Sequence, residues 1–369
     1  MYNERIFMKK PVTRTFGILT SGGDCPGLNA AIRGVAKAAH FTYNMTVIGI
    51  SEGYRGLIEG NARLLKPEDF SGILTQGGTI LGTSREKPFK LEKNSPKDSS
   101  LGRQKPEAIV ENYHRLNLDC LVVLGGNGTH KTANLLKQEG LNVIGLPKTI
   151  DNDIWGTDVT FGFHSAVDIA TEAIDRLHST AHSHNRVMVI ELMGHKAGWL
   201  ALYAGISGGG DVILIPEIPY SIEAISRHLL KRARSGKQFS IVVVAEGAVS
   251  EEEIKNSKDK KKQNPYYSKG HEVAEEIAKA SGMETRLTVL GYLQRGGTPS
   301  PYDRLLATLF GTTAADLMAE GDFGKMVALE GSRIITRPLE EVAGKLKQVP
   351  LDHPLIRTAR NIGTCLGND

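Results

Sequence analysis

The apolar residues of the chain fall into short strand-like runs that alternate with longer amphipathic stretches. In the first part of the sequence the apolar runs are TFGILT, MTVIGI, LDCLVVLG and LNVIGLP, beginning at residues 15, 45, 118 and 141. The first and third are followed by amphipathic stretches, LNAAIRGVAKAAHF and THKTANLLKQEG. Strands that alternate with helices in this way predict βα units and a parallel sheet.

A second series of the same kind follows. Its apolar runs are VMVIEL, VILIPE and SIVVVAEG, beginning at residues 187, 212 and 240, and its amphipathic stretches are AGWLALYAGIS, SIEAISRHLLKRARSG and HEVAEEIAKASG. The repetition predicts an α/β protein made of two doubly wound parallel-sheet domains of related construction. We expect one domain to comprise residues 1–160 and about 295–345, and the other residues 161–294 and about 346–369.

Two charged stretches, at 84–106 and 250–270, interrupt the alternation and contain few large apolar side chains. We expect each to be a surface loop or an insertion. The run of lysines from Lys258 to Lys262 is interpreted as a solvated face and not as a site for a polyanion.

Length and charge narrow the class of protein further. The chain of 369 residues is long enough for two domains, each with its own core, and a two-domain enzyme with its active site in the cleft between them is expected. The net charge of +4 is spread along the chain, so nucleic acid is not indicated as a partner.

The cysteines and the lack of long apolar runs indicate the cellular compartment of the protein. Cys25, Cys120 and Cys365 lie far apart and suggest neither a disulfide framework nor a zinc site, which fits the reducing cytoplasm. The amino terminus lacks the apolar core of a signal peptide, and no apolar run approaches the ~20 residues that span a bilayer. We expect a soluble cytoplasmic protein without a membrane partner.

Glycine pairs lie in polar loops, most of them directly after predicted strands. TSGGDCPG follows the first strand, LGGNGTH follows LDCLVV, and QGGTILGTSR precedes a polar segment. Ligands of parallel sheets bind outside the carboxyl ends of the strands, where glycine lets backbone N–H groups approach phosphate. Three such loops suggest a polyphosphate ligand, although each alone could be a tight turn. None fits the Walker or the dinucleotide-binding pattern.

The segment PKTIDND follows another predicted strand and supplies Lys148, Thr149, Asp151 and Asp153 at the same edge. Phosphoryl transfer to a hydroxyl needs a carboxylate to accept the hydroxyl proton and a cation to neutralise the phosphates. The two aspartates could instead cap a turn. Their position beside three phosphate-type loops favours the catalytic interpretation.

At this point the sequence resembles the 6-phosphofructokinase family from about Phe16 to Asp316. The matching blocks, in chain order, are TSGGDCPGLNAAIRG, GGTILGTSR, GGNGTH, PKTIDND, AHSHNR, MGHKAG, VVVAEGA, ETRLTVLGYLQRGG and PYDRLLA. The resemblance implies transfer of a phosphoryl group from Mg²⁺-ATP to the 1-hydroxyl of fructose 6-phosphate, giving fructose 1,6-bisphosphate in glycolysis. It also implies a donor-binding domain, which is the first of the two, and a sugar-phosphate-binding domain.

The resemblance further implies the site residues. Asp151 would be the base, with Thr149 and Asp153 beside it. The donor would be bound by Gly22, Gly23, Arg85, Gly125, Gly126, Asn127, Gly128, Thr129 and Lys148. The sugar phosphate would contact Thr149, Asp151, Arg186, Met193, Gly194, His195, Glu246, Arg286, Tyr292 and Arg295. In the family some arginines of the 6-phosphate pocket come from a neighbouring subunit, which implies a homodimer or homotetramer with shared sites.

Three positions depart from the family pattern. Asn127 replaces an aspartate that helps to hold Mg²⁺, and a neutral amide is a weaker ligand for this cation, so Asp153, the donor phosphates and water would complete its shell. His195 replaces an arginine and Tyr292 replaces a histidine. These changes leave open a non-catalytic sensor of sugar phosphate or nucleotide, against which the retained Asp151 argues.

The identity of the phosphoryl donor depends on two markers that point in opposite directions. Lys148 is typical of pyrophosphate-dependent relatives, whereas Gly128 is the small residue typical of ATP users. ATP is favoured because room for the α-phosphate and nucleoside is a steric requirement, while a lysine can serve either donor. NAD kinases and diacylglycerol kinases share a similar glycine loop but do not account for PKTIDND, MGHKAG and GYLQRGG together.

The effector site of the bacterial relatives is less well matched. Arg33, Lys37, Asp211 and Lys237 correspond to it, but His178 stands where that site has an arginine. The usual regulation by ADP or phosphoenolpyruvate is therefore not expected.

Overall fold

The computed structural model describes residues 11–90, 101–256 and 268–368, the side chains of 101–104 excepted. The chain forms two compact units. The first contains the described residues up to Thr149, together with Ile154–Gly162 and Arg295–Leu346. The second contains Ile150–Asp153, Phe163–Gln294 and the described residues from Lys347 onward.

The regular elements of the described residues are as follows. The strands are β1 (Thr15–Ser21), β2 (Thr46–Ile50), β3 (Ala62–Leu65), β4 (Cys120–Gly125), β5 (Val143–Pro147), β6 (Val187–Leu192), β7 (Val212–Leu214), β8 (Ser240–Ala245), β9 (Thr285–Val289), β10 (Lys325–Glu330) and β11 (Arg333–Pro338). The helices are α1 (Leu28–Tyr43), α2 (Gly53–Glu59), α3 (Leu101–Arg115), α4 (Asn127–Gln138), α5 (Phe163–His184), α6 (Trp199–Ser207), α7 (Ile222–Arg234), α8 (Glu251–Lys255), α9 (Lys269–Ser281), α10 (Pro301–Glu320), α11 (Leu339–Val342) and α12 (Pro354–Asn361), with a 3₁₀ helix over Gly291–Arg295.

The sheet of the first unit has the strand order β11-β10-β5-β4-β1-β2-β3. Its inner strands are parallel, and the two edge strands β3 and β11 are antiparallel to their neighbours. Ser21 pairs with Gly125, and Gly125 pairs with Pro147, so the carboxyl ends of β1, β4 and β5 lie at one edge. The loops that follow these three strands therefore start side by side.

The core of this unit follows from the alternation of apolar residues in its strands. Leu19, Leu121, Val123 and Val143 belong to one buried cluster on a face of the sheet. Elsewhere in the unit α1 packs closely against α10 because glycines allow the two backbones to approach each other. A Cβ atom on Gly311 would lie 2.6 Å from the backbone nitrogen of Val35.

The sheet of the second unit has the order β7-β8-β6-β9, and all of its strands are parallel. The β-branched residues Val187, Val189, Val242 and Val244 form the centre of its core and are fully buried. Such continuous apolar strands are typical of parallel sheets that are covered on both faces. The carboxyl ends of β6, β8 and β9 again share one edge of the sheet.

These observations confirm the predicted α/β class with parallel sheets, but the two charged stretches are not simple loops. Helix α3 begins at Leu101, inside 84–106, and α8 and the start of α9 lie inside 250–270. Ser250 caps α8 and its partner Glu253 completes a capping box, so charged residues here stabilise an exposed helix. Residues 91–100 and 257–267, including Lys258–Lys262, lie outside the described residues.

A search of the described helices for a membrane span found none with the length and apolar character required.

Candidate active site

The glycine-rich loops follow the strands at which the order of the first sheet reverses. Strand β1 leads to β2 on one side, whereas the adjacent β4 leads to β5 on the other. Such a switch point leaves a crevice outside the carboxyl ends of the two strands, where ligands bind. Gly22 and Gly23 follow β1, while Gly126, Asn127 and Gly128 follow β4.

Hydrogen bonds tie the three predicted loops together. The backbone N–H of Gly22 donates to the carbonyl of Ser84 at 2.8 Å, and the hydroxyl of Thr83 donates to the carbonyl of Gly22 at 2.7 Å. The hydroxyl of Thr129 donates to the carbonyl of Ser21 at 3.3 Å. Gly22 has a φ of 91°, a conformation that favours glycine. Arg85, the next residue after Ser84, is exposed beside this cluster.

Lys148 is a buried cation between two of these loops. It is 3% exposed, and its backbone N–H donates to the carbonyl of Gly125 at 3.0 Å. Its ammonium group donates to the carbonyl of Gly23. The predicted donor-site residues Gly22, Gly23, Gly125, Thr129 and Lys148 are thus brought together.

The side chain of Asn127, a predicted metal ligand, is hydrogen bonded to a backbone segment instead of pointing freely into the loop. Its amide nitrogen donates to the carbonyl of Lys345 at 2.7 Å, and its amide oxygen accepts from the N–H of Gly344 at 3.1 Å. An aspartate could accept the second bond but could not donate the first. The two hydrogen bonds therefore give a structural reason for asparagine at this position, which the resemblance to the family did not reveal.

Gly128 lies at an open position. A Cβ atom built there would have no described atom within 4 Å, and the residue is exposed. His130, in contrast, is fully buried, and its Nδ1 lies 2.9 Å from the carbonyl oxygen of Gly126. Burial lowers the pKa of His130 to about 4, so its ring is neutral near pH 7 and adds no positive charge to the loop.

The segment that carries the two aspartates is tightly held. Asn152 is 3% exposed and has a φ of 51°, and Asp153 is 7% exposed, while Asp151 is half-buried. In the second unit the backbone N–H of Lys347 donates to the carbonyl of Asp153 at 2.9 Å. In the first unit the hydroxyl of Thr160 donates to the carbonyl of Thr149 at 2.7 Å.

Several predicted sugar-binding residues meet at the carboxyl edge of the second sheet. The backbone N–H of His195 donates to a carboxylate oxygen of Glu246 at 2.8 Å, and that of Met193 donates to the side-chain oxygen of Gln294 at 3.3 Å. Gly194 and His195 have positive φ angles of 148° and 52°, so the chain turns sharply here. Tyr292, in the 3₁₀ helix after β9, is 75% exposed.

Arg186 and Arg286 lie at the opposite, amino edge of this sheet. Arg186 directly precedes β6, and Arg286 is the second residue of β9. Both contact Glu284, at 2.9 Å from Arg186 Nε and 2.5 Å from Arg286 Nη2, and Arg186 is the main cause of the lowered pKa of Glu284. Strand β6 separates Arg186 from Met193 by roughly 20 Å at about 3.3 Å per residue.

Arg295 belongs to a different set of contacts. Its guanidinium donates to the carbonyl of Asp24 at 3.0 Å, and a Cβ atom on Gly23 would lie 2.5 Å from Arg295 Nη1. Of the three arginines predicted for one phosphate pocket, Arg186 and Arg286 lie together in the second unit, and Arg295 lies against the first glycine loop in the first unit.

One residue of the predicted effector site is involved in an internal ion pair. Asp211 lies 2.6 Å from Arg232 and accepts from the backbone N–H of Ile241 at 2.9 Å. His178 has its Nε2 2.6 Å from the carbonyl oxygen of Gly208. Lys237 is exposed.

Two residues that shape the site were missed in the sequence. Asn29 donates to the carbonyls of Gln76 and Gly77 at 3.2 Å, and its amide oxygen accepts from the N–H of Ile80 at 2.8 Å, so it holds the third glycine loop. Its place in TSGGDCPGLNAAIRG is the signal that could have found it. Lys347 contacts the aspartate segment but lies in a stretch without any matched block.

An α/β fold with glycine-rich loops at a topological switch point defines a protein of the class that binds phosphorylated ligands. The comparisons with known proteins give the family. Residues 15–318 match the family model described as Phosphofructokinase. The chain belongs to the phosphofructokinase family.

Individual relatives agree with this assignment. The chain is 74% identical over 365 residues to the ATP-dependent 6-phosphofructokinase of Spirochaeta thermophila, with 98% of this chain and 100% of that protein covered. The crystal structure of Pichia pastoris phosphofructokinase in the T-state is 34% identical with a TM-score of 0.78, over 89% of this chain and 35% of that one. A pyrophosphate-dependent phosphofructokinase from Nitrosospira multiformis has a TM-score of 0.80 over 96% and 93% of the two chains, but at 21% identity it supports the fold alone.

Proposed function

We propose that the protein transfers the γ-phosphoryl group of ATP to the 1-hydroxyl of fructose 6-phosphate, giving fructose 1,6-bisphosphate in glycolysis. The observation that carries this proposal is the convergence of two glycine loops and Lys148 at the switch point of the first sheet, directly before Thr149 and Asp151 in the chain. Support also comes from the 74% identical relative, which is named an ATP-dependent 6-phosphofructokinase.

The proposed chemistry assigns a role to each group. Asp151 accepts the proton of the sugar hydroxyl as this oxygen attacks the terminal phosphorus of the donor. The backbone N–H groups of the loops that contain Gly23 and Gly126–Gly128 bind donor phosphate oxygens, and Arg85 contacts them from the third loop. Lys148 provides a fixed positive charge for the transferred phosphoryl group, which is most valuable where water is excluded.

Mg²⁺ fits this set of residues as a phosphate-bound ion. Mg²⁺ in such sites keeps several waters and is held by one or two carboxylates and substrate phosphates. Asp153 is the carboxylate that would serve it, and within the described residues there is no group of three His, Cys, Asp or Glu that could hold a metal by itself. When bound, the ion would neutralise charge on the donor phosphates. The amide oxygen of Asn127 already accepts one hydrogen bond from Gly344, so it would have one lone pair left to offer the ion.

The choice of ATP over pyrophosphate rests on Gly128. No described atom lies within 4 Å of a Cβ built at this residue, and an open position here is what an α-phosphate and a nucleoside would need. Pyrophosphate is the second candidate because Lys148, a lysine typical of pyrophosphate-dependent relatives, reaches the first glycine loop.

The sugar phosphate would be bound by residues of the second unit. Met193, Gly194, His195 and Glu246 meet at one edge of its sheet and would contact the sugar. Tyr292 would contact the sugar phosphate from the 3₁₀ helix after β9. Arg186 and Arg286 are suited to the 6-phosphate because guanidinium groups bind phosphate in a planar, bidentate manner.

The distance between the two arginines and the sugar-contacting residues at the other edge of the same sheet supports a homodimer or homotetramer with shared sites. Arg186 and Arg286 lie a full strand length from Met193 in the same chain, so a neighbouring subunit would have to present its own pair to the sugar site.

A cytoplasmic location completes the proposal. It is supported by the three cysteines, which are buried thiols that form no disulfide bond with one another, as expected in a reducing compartment.

The proposal is tested by following purified protein with fructose 6-phosphate, ATP and Mg²⁺ by ³¹P NMR. The expected result is stoichiometric formation of ADP and fructose 1,6-bisphosphate. Binding of both substrates without turnover would indicate a sensor and would overturn the enzymatic proposal. Turnover with a product phosphorylated elsewhere would overturn the assignment of the acceptor.

A further inference from the structure

Lys347 makes two hydrogen bonds to the segment that contains the proposed base. Its ammonium group donates to the side-chain oxygen of Asn152 at 2.9 Å, and its backbone N–H donates to the carbonyl of Asp153 at 2.9 Å. Asn152 and Asp153 are the two residues directly after Asp151. One lysine thus holds the segment through both a side chain and the backbone.

The segment contains a residue in an uncommon backbone conformation. Asn152 has a φ of 51°, in the left-handed region that asparagine adopts more readily than most other residues with a side chain. A backbone of this kind persists only when surrounding contacts determine it, and such residues cluster at functional sites. Asn152 is also 3% exposed, so the loss of its partner would leave a buried amide oxygen with one hydrogen bond fewer.

Lys347 is itself fixed by its surroundings. Its carbonyl accepts from the indole N–H of Trp199 at 2.9 Å, and its ammonium nitrogen lies 5.3 Å from the centroid of the same indole. Two residues later the N–H of Val349 donates to Glu217 at 2.9 Å, and Glu217 also accepts from the N–H of Gly198 at 3.0 Å. The lysine is thereby attached to the start of α6, a rigid element.

We propose that Lys347 is a positioning residue for phosphoryl transfer: through Asn152 and Asp153 it fixes the backbone that presents the Asp151 carboxylate. This inference rests on the proposed function. The contacts of Lys347 with Asn152 and Asp153 act on the backbone of this segment, so the contribution that we assign to them is to geometry. Small displacements of a catalytic group are costly, at roughly 10²-fold in rate for about 1 Å.

The test uses the full-length enzyme with Lys347→Met, which keeps an apolar stem over Trp199 but loses the ammonium donor. We expect kcat to fall by roughly 10- to 100-fold while the KM values for ATP and fructose 6-phosphate stay within about 3-fold. Lys347→Arg, which retains a charged donor, should recover most of the lost kcat. Lys279→Met is the matched control, because Lys279 is an exposed lysine on α9 of the same unit, and its kcat should equal that of wild type.

Rates are taken per folded protein, well below the thermal unfolding midpoint of each variant, so that reduced stability alone does not lower kcat. Unchanged kcat in Lys347→Met, or an equal loss in Lys347→Arg, would overturn the positioning role. A double-mutant cycle with Asn152→Gly adds a second criterion: we expect the two losses in kcat to be strongly non-additive, and additive losses would overturn the connection through Asn152. Wild-type protein without phosphotransferase activity would refute the proposed function itself, which is a different result.

Discussion

The hydrogen bonds of individual side chains near the proposed site bear on the role of each residue. Asn127 appeared from the sequence to be a weakened metal ligand, yet its carboxamide both donates and accepts hydrogen bonds with the backbone of Gly344 and Lys345. Lys148 is buried beside the first glycine loop. Asn127 and Lys148 are therefore each held by hydrogen bonds to backbone groups of the first unit.

Asp151→Asn tests the base. The amide keeps the shape of the side chain but cannot accept the hydroxyl proton, so we expect turnover to fall by about 10²–10⁴-fold. Binding of fructose 6-phosphate, measured by calorimetry, should be nearly unchanged because a general base acts mainly in the transition state. Retained turnover would remove Asp151 from this role.

Gly128→Asp tests the donor. The side chain has room in the protein itself, since no described atom lies within 4 Å of the Cβ position, so the variant is expected to fold normally. Its bulk and charge should instead exclude the nucleotide and raise the half-saturating ATP concentration strongly. Gly128→Ala, which adds bulk without charge, is the matched control and should have a smaller effect. ATP activity with an unaltered half-saturation in Gly128→Asp would contradict the steric argument.

At the element scale, the strongly apolar elements were predictable from the sequence. The predicted run 187–192 coincides with β6, and the run 15–20 is within one residue of β1. The edge strand β3 was missed because only Leu65 of its four residues is buried, which leaves little periodic signal. Strand β9 was missed for a similar reason, since its residues are half-buried or exposed.

The loops of the proposed site were also predictable in part from the sequence. Glycine pairs directly after apolar runs indicated correctly that the loops at Gly22 and Gly125 would meet, because parallel strands bring their carboxyl ends to one edge. The contact of Lys347 with Asn152 joins positions far apart in the sequence and depends on tertiary packing. No local pattern could have indicated it.

The contact between α1 and α10 provides a test of packing at this scale. Gly311→Ala should lower the free energy of unfolding by about 1–3 kcal/mol, because the added methyl group meets the backbone of Val35 and neither helix can move freely. Thr313→Ala, on the same helix, is the control and should change the free energy of unfolding by about 0.5 kcal/mol or less. Thermal unfolding at equal protein concentration measures both. Equal thermal unfolding midpoints for Gly311→Ala and wild type would show that α1 and α10 are not in close backbone contact at Gly311.

At the scale of the whole molecule, each unit supplies one part of the proposed chemistry. The first unit contains the glycine loops, Lys148, Thr149 and Arg295, and the second contains Asp151 and the other residues proposed to bind the sugar phosphate. Within the second unit, Arg186 and Arg286 lie at the opposite edge of the sheet from Met193 and Glu246. This arrangement within one sheet is the reason for expecting that sites are completed by a neighbouring subunit.

Hybrid oligomers test that expectation. Asp151→Asn and Arg286→Ala proteins, each nearly inactive at low sugar phosphate, are mixed in equal amounts under conditions of subunit exchange. In a symmetric dimer with shared sites, random exchange should restore about one quarter of the wild-type activity, because half of the molecules are hybrids with one intact site. No recovery, with exchange demonstrated by differently tagged subunits, would indicate that each site is formed by one chain.

The use of ATP to phosphorylate fructose 6-phosphate is checked by measuring kcat/KM of the wild-type enzyme for ATP and for pyrophosphate. The assay contains saturating fructose 6-phosphate and Mg²⁺ and is coupled to fructose 1,6-bisphosphate formation. We expect a much larger kcat/KM for ATP. A value for pyrophosphate equal to or larger than that for ATP would contradict this expectation and would make Lys148, not Gly128, the residue that identifies the donor.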